Sequence, residues 1–211
     1  VRRDRLGSKE AYMAEPALPL ATLEDGQKWP AQGEWTYEDY LRLPDEGQRY
    51  EVIRGVLYVA PSPNYDHQYT VLKLARRLDT FVEENDLGVV LTAPFDILLP
   101  DRIADPVEPD ILFIRKEHQP RRGDKNFQGV PDLLVEVLSP RSRVYDRKVK
   151  LAAYRDAGVP ECWLVDPMSR TIVIHGWEEG SFIEIDRGDA GTEVVSKILR
   201  GFRLQVGLLF P

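Results

Sequence analysis

A chain of 211 residues with 43% hydrophobic and 30% charged positions is sized for one domain with a substantial core and is composed like an ordinary globular protein. Its formal net charge of −7 argues against a general nucleic-acid coat protein. No apolar run approaches a membrane span, and no signal peptide is visible.

The single cysteine, Cys162, excludes an internal disulfide and a cysteine-built metal cage. Its apolar surroundings are those of a buried structural thiol, and a cytoplasmic location is expected. The charge is unevenly spread. From Arg115 to Lys150 ten Lys/Arg face five Asp/Glu, so this segment carries about +5 and the remainder about −12. A local basic stripe on an acidic chain is compatible with a phosphate-binding face.

Residues 1–33 mix charges with Pro16, Pro19 and Pro30 and show no sustained period; they read as an N-terminal arm, with residues 34–211 forming a single domain. Thr36 with Asp39 predicts a capped short helix whose Trp35, Tyr37 and Tyr40 pin the arm to the body. Tyr50 to Ala60 reads as a β-hairpin turning at Arg54-Gly55. From Asn64 to about Glu84 the apolar positions recur at three- and four-residue steps, the mark of a long amphipathic helix. Val89–Thr92 and Phe95–Leu99 read as one bent strand or a pair broken at Pro94. Asp110–Ile114 and Leu133–Leu138 are further strands, each preceded by proline.

The run LLVEVL suits a strand covered on both faces, which makes Glu136 conspicuous. Between these strands, Arg115 to Gly129 reads as a long, basic, substrate-touching loop. A helix is expected from about Val144 to Ala157, stopped at Gly158. Strands at Cys162–Val165 and Thr171–His175 follow, with a possible edge at Phe182–Ile185 and an apolar tail docked on the body or on a partner. Strands interleaved with helices predict an α/β fold around a mixed sheet.

The residues that carry chemistry cluster in the centre of the chain. Asp110 opens one apolar run, Glu136 lies inside the next, and Asp146 and Lys150 follow at helical spacing. Two carboxylates, a backbone carbonyl such as that of Val137, and an ammonium are the parts of a hard-metal site for phosphodiester hydrolysis. Mg²⁺ or Mn²⁺ takes oxygen ligands and activates water. Lys150 is expected to act as a fixed positive charge, since a base would need its pKa lowered by several units. Two close buried carboxylates should leave at least one with a raised pKa.

The plainer readings are specific too. Asp110 can simply begin a strand, and a structural ion pair of Glu136 with Lys150 or Arg147 explains that residue as well as a metal does. His67 reads as a capping or surface histidine. His118 and His175 stand alone, so zinc is not expected. No phosphate-cradling glycine loop and no nucleophile elbow at Ser62 or Ser139 is present.

Pro109-Asp110 followed by Glu136 resembles the PD-(D/E)XK nuclease superfamily, whose core is α-β-β-β-α-β. Within it the phrases YEVIRGVLYVAPSPNYDHQ, APFDILL, VEPDILFI and GVPDLLVEVLSPRSRVYDRKVKLAAYRDAGVPECWLVDP resemble the bacterial "putative restriction endonuclease" family. The similarity spans roughly Trp35 to Trp177. The chain departs from the superfamily motif at Leu138, where the lysine is expected. The family resemblance implies that this lysine has moved to the next helix, at Lys150, and that Glu51 and His67 flank the site. It also implies a restriction-endonuclease-like core with an N-terminal β-hairpin and a Mg²⁺-dependent DNA endonuclease. Such folds commonly work as homodimers. The alternatives are a non-catalytic module of the same fold that binds nucleic acid or protein, and a hydrolase of small phosphate esters.

Overall fold

A computed structural model describes residues 28–44, 47–60, 62–118, 125–140 and 142–211. Most of the expected N-terminal arm therefore lies outside the described residues. Its last part packs on the body, with Trp29 stacked on Trp35 at 5.4 Å between ring centroids. The short helix α1 (Tyr37–Tyr40) carries the capping box expected of Thr36 and Asp39.

Strands β1 (Arg49–Ile53) and β2 (Val56–Ala60) form the hairpin. Both turn residues, Arg54 and Gly55, have positive φ, at 53° and 71°, as a twisted two-residue turn requires. A Cβ at Gly55 would lie 2.3 Å from the Gly33 carbonyl oxygen, so only glycine admits the arm there.

The long helix α2 (Tyr65–Glu84) begins at the Asn64 N-cap, whose side chain accepts from the His67 amide at 2.9 Å. Eight more strands follow: β3 (Gly88–Thr92), β4 (Asp96–Leu99), β5 (Ala104–Val107), β6 (Ile111–Arg115), β7 (Asn126–Gln128), β8 (Leu133–Val137), β9 (Glu161–Asp166) and β10 (Thr171–Glu178). The chain ends with β11 (Ser181–Asp189) and the small ribbon β12 (Glu193–Val195) and β13 (Arg203–Gln205).

The main sheet is mixed, in the order β11-β10-β9-β8-β6-β3. Among the described residues its only parallel pair is β8 with β9, and the helix between those strands makes the crossover that parallel pairing demands. The core α2-β3-β6-β8-helix-β9 is the α-β-β-β-α-β arrangement of restriction-endonuclease-like folds. A second sheet, β2-β1-β5-β4-β7, is built from the hairpin and from segments inserted between β3 and β8. The stretches on either side of Pro94 are thus a pair of strands, and they belong to different sheets. The loop expected from Arg115 to Gly129 contains β7; its residues 119–124 lie outside the described set.

Strand alternation divides the core. Ile111, Phe113, Leu133, Val135 and Val137 turn toward Leu74, Leu78 and Val82 of α2, together with Leu199, Phe202 and Leu204 of the tail. Leu112, Ile114 and Leu134 turn the other way, toward Ile53, Ile97, Leu99 and Val107 of the second sheet. The tail is therefore docked on the body through buried side chains. Each fully buried leucine contributes about 2 kcal/mol.

The crossover helix runs through α3 (Arg143–Tyr145), a π turn (Asp146–Lys150) and α4 (Leu151–Asp156). It ends where the sequence expects. Gly158, at φ 80°, donates to the Arg155 carbonyl at 3.0 Å and Val159 donates to Tyr154 at 2.9 Å, the paired bonds of a Schellman stop. No helix among the described residues is long and apolar enough to cross a membrane.

Candidate active site

The antiparallel register of β6 and β8 pairs Ile111 with Val135. One step further, Asp110 falls opposite Glu136, both on the face that carries Leu112 and Leu134. The Val137 amide donates to Asp110 Oδ2 at 2.8 Å, which ties the start of β6 to the end of β8. The N-cap of α2 sets His67 in its first turn, where Nε2 lies 3.2 Å from the same Asp110 oxygen. The hairpin delivers Glu51, which is 2% exposed; its Oε1 accepts from the Glu108 amide at 2.9 Å.

Lys150 closes the group. Its Nζ donates to Glu136 at 2.8 Å and to Glu51 at 2.9 Å, and the residue is 4% exposed. Glu51, His67, Asp110, Glu136, Val137 and Lys150 all line one cavity of about 40 Å³, room for about three waters. All the sequence-expected site residues thus meet in one place. His67 is neither a surface group nor a cap, because it is buried and faces Asp110.

Asp146, already marked by its spacing to Lys150, joins them with three residues that spacing did not single out. Tyr145 donates to Glu51 Oε2 at 2.9 Å, and Tyr154 donates to Glu136 Oε1. Asp146 and Glu108 are buried on the cavity wall. Signals existed for two of them. Glu108 precedes Asp110 by two, the spacing that shares a strand face, and Tyr154 follows Lys150 by four on the helix. Tyr145 stands five before Lys150, which an α-helix would turn to another side. The π turn, with its i→i+5 bonding, widens that step and lets both reach Glu51. Leu138, at the motif's usual lysine position, is 3% exposed and packs with Leu164 and Val173, so it serves the core.

The electrostatics are those of excess buried negative charge, with Glu51, Glu108, Asp110, Glu136 and Asp146 grouped around Lys150. Burial drives the Glu136 carboxyl far above its ordinary range; Lys150 opposes this, and Asp146, Asp110 and Glu51 add repulsion. Burial and neighbouring carboxylates likewise lift Asp146 and Glu108 to about 7 each. Asp110 goes the other way. Burial raises it, but the His67 hydrogen bond and charge, Lys150 and the Val137 amide outweigh burial and leave it below the usual range. Burial alone would strip the Lys150 proton, yet Glu136, Glu51, Asp146 and Asp110 hold its pKa well above the ordinary value.

The acidic side chains on the wall offer oxygen donors of the kind a hard divalent cation takes; Glu108 Oε2 is buried with no hydrogen-bond partner among the described residues, its nearest cation being Arg49 Nη1 at 3.8 Å. Among those residues no group of three or more His, Cys, Asp or Glu side chains is placed so as to hold a metal ion.

The core order and the pairing of its strands put this protein in the restriction-endonuclease-like class of folds. A solved structure of a "putative nuclease belonging to DUF820" from Anabaena variabilis superposes with a TM-score of 0.67 at 20% identity, covering 83% of this chain and 97% of that one. The chain belongs to the Uma2 family, described as "Putative restriction endonuclease", whose model matches residues 37–207. Among curated proteins none matches.

Proposed function

We propose that this protein is a metal-dependent DNA endonuclease that hydrolyses phosphodiester bonds, with Asp110, Glu136 and the Val137 carbonyl holding Mg²⁺ or Mn²⁺. The observation that carries this reading is the convergence of Asp110, Glu136 and Lys150 on one cavity at the ends of β6 and β8. The ion supplies an acidified water and neutralises charge on the phosphate. With two carboxylates and a carbonyl from the protein, such an ion keeps several waters, as Mg²⁺ prefers.

Lys150 is the fixed positive charge for the phosphate as it gains negative charge under attack. Its raised pKa supports that role over that of a base. Glu51 and Tyr145 hold the lysine side of the cavity, and His67 orients Asp110 through its Oδ2. Cleavage of both DNA strands would use a homodimer.

A second reading is a non-catalytic module of this fold that binds nucleic acid or protein. It is favoured by one feature: both Glu136 oxygens are already engaged, by Lys150 and Tyr154. Nicking of supercoiled plasmid with Mg²⁺ or Mn²⁺ decides between them. Activity in the wild type that is lost in Glu136→Gln and blocked by EDTA supports the nuclease. Binding of DNA with no cleavage under any divalent ion overturns it.

A further inference from the structure

The exposed side of α2 carries a ladder that the cavity chemistry does not use. Tyr65, Tyr69, Lys73 and Arg77 follow one another at four-residue steps, so they share one helix flank. Tyr65 is 71% exposed. Its ring stacks on Tyr69 at 6.0 Å between centroids, and Lys73 Nζ sits 5.0 Å from the Tyr69 centroid on the next turn. Arg77 is oriented by a 2.8 Å bond to the Lys73 carbonyl.

Beyond the tyrosines the ladder becomes the wall of an open groove between α2 and the tail. Lys73, Arg76, Arg77 and Arg203 line it, with Glu84 as the acidic member. Arg203 is paired with Glu193 at 2.7 Å. Lys73, Arg76 and Arg77 form no ion pair with a carboxylate among the described residues. Uncompensated cations in a row, on a chain of net charge −7, are a segregated attraction for polyanions.

The ladder starts in the helical turn that holds the cavity's His67, on the solvent side about 200° round the helix from it. Pro63 and His67, which bracket Tyr65 in the chain, both line the cavity. Arg77 lies ten residues beyond His67, about 15 Å along the helix.

We infer that this flank of α2, with the tail groove, binds a single-stranded nucleic-acid segment leading away from the cavity, Tyr65 stacking a base and Lys73, Arg76 and Arg77 meeting the phosphates behind it. A free aromatic face takes an unpaired base, whereas the bases of a duplex are already stacked on one another. Tyr69 and Lys73 buttress the Tyr65 ring from behind. The inference rests on the nuclease reading of the cavity for its placement beside a scissile bond, and it narrows the substrate to DNA with an unpaired segment.

The test is a fluorescence-anisotropy titration of the full chain in EDTA, with a short labelled DNA single strand and with the duplex of the same sequence. Tyr65→Ala should weaken single-strand binding about tenfold, and Tyr65→Phe should restore it to within about twofold. Replacing Lys73 and Arg77 by alanine should flatten the salt dependence by about 0.7 log units per log unit of salt for each phosphate that is no longer neutralised. Thermal melting guards against misfolding, since Tyr65 is exposed. The inference is overturned if Tyr65→Ala binds the single strand like wild type, or if duplex binds as tightly as the single strand. Cleavage assays with Mn²⁺ separate the two proposals. A wild type that cleaves, with unaltered binding by Tyr65→Ala, sinks only the track. Tyrosine-dependent strand binding without any cleavage sinks only the nuclease.

Discussion

Lys150 Nζ lies 2.8 Å from the Glu136 carboxylate, the lysine coming from the π turn and the acid from the adjoining strand β8. The pair is buried and is shared with Glu51, so one ammonium holds two carboxylates from two different sheets. Removing a partner from such a pair leaves an uncompensated charge in a low-dielectric interior, where water cannot replace it.

Lys150→Met should therefore destabilise the metal-free protein by about 3 kcal/mol or more at pH 8. The loss should be smaller at pH 5.5. Glu136, already far above its usual pKa, can there take a proton and discharge the site. Urea unfolding in EDTA at the two pH values checks this, and equal losses would mean that Glu136 is not the charge being stranded.

The two acids of the motif should respond to neutralisation by different amounts. Asp110 accepts from the Val137 amide and pairs with His67, and its folded pKa is depressed. Its contribution is present above the unfolded pKa of about 3.9 and is lost as pH falls through the folded value. Asp110→Asn should cost about 1–3 kcal/mol at pH 7, and less below pH 4. Glu136→Gln, which removes a charge that burial disfavours, should change stability by less than about 1 kcal/mol at pH 7. Chemical denaturation of the two variants side by side makes the comparison.

The core order was legible because its signals are local: a 20-residue amphipathic helix, proline-led apolar strands and a glycine stop. Glu136 announced itself as a carboxylate in a fully buried run and Lys150 by its helical spacing after Asp146, while the family resemblance added that Lys150 is the motif's displaced lysine. The second sheet was missed in part. β5 contains Pro106 and β7 is three residues long, and neither alternates long enough to register as a strand. The π turn left no trace because one extra residue in a helix changes neither composition nor apolar content. Its effect appears only when Tyr145 and Lys150 are found on the same partner.

Asp146 should impose a pH slope on stability. Its carboxyl is lifted to about 7 by burial, with Asp110 and Glu51 repelling it and Lys150 and a Ser142 hydrogen bond opposing. Glu136 and Tyr145 also face this part of the cavity. Between the unfolded pKa near 4 and pH 7 the folded protein binds more protons than the unfolded chain, so stability falls as pH rises and then levels off. The shift amounts to on the order of 4 kcal/mol. Asp146→Asn should reduce that slope and be more stable than wild type at pH 8 in EDTA, with little difference at pH 4. Denaturation midpoints across this range read the effect directly, and an unchanged slope would assign it to Glu108 or Glu136.

The π turn itself can be tested by removing its extra residue. Lys148 is exposed and contributes nothing to the cavity wall, so Lys148→Ala should leave stability and cleavage near wild type. Deleting Lys148 is a different change. It removes the π turn's extra residue and leaves Tyr145 four before Lys150, a spacing that a regular α-helix keeps on one side. Ala153 and Tyr154 are both 0% exposed and anchor α4, so Tyr145 should still reach Glu51. Inserting an alanine after Lys148 instead makes the step six residues and turns Arg143–Tyr145 by about 100° relative to α4, which takes Tyr145 off Glu51. By far-ultraviolet circular dichroism both proteins should keep their helix content, the deletion retaining metal-dependent nicking and the insertion abolishing it. An insertion protein that still nicks plasmid would show that the alignment of Tyr145 with Lys150 has no part in cleavage.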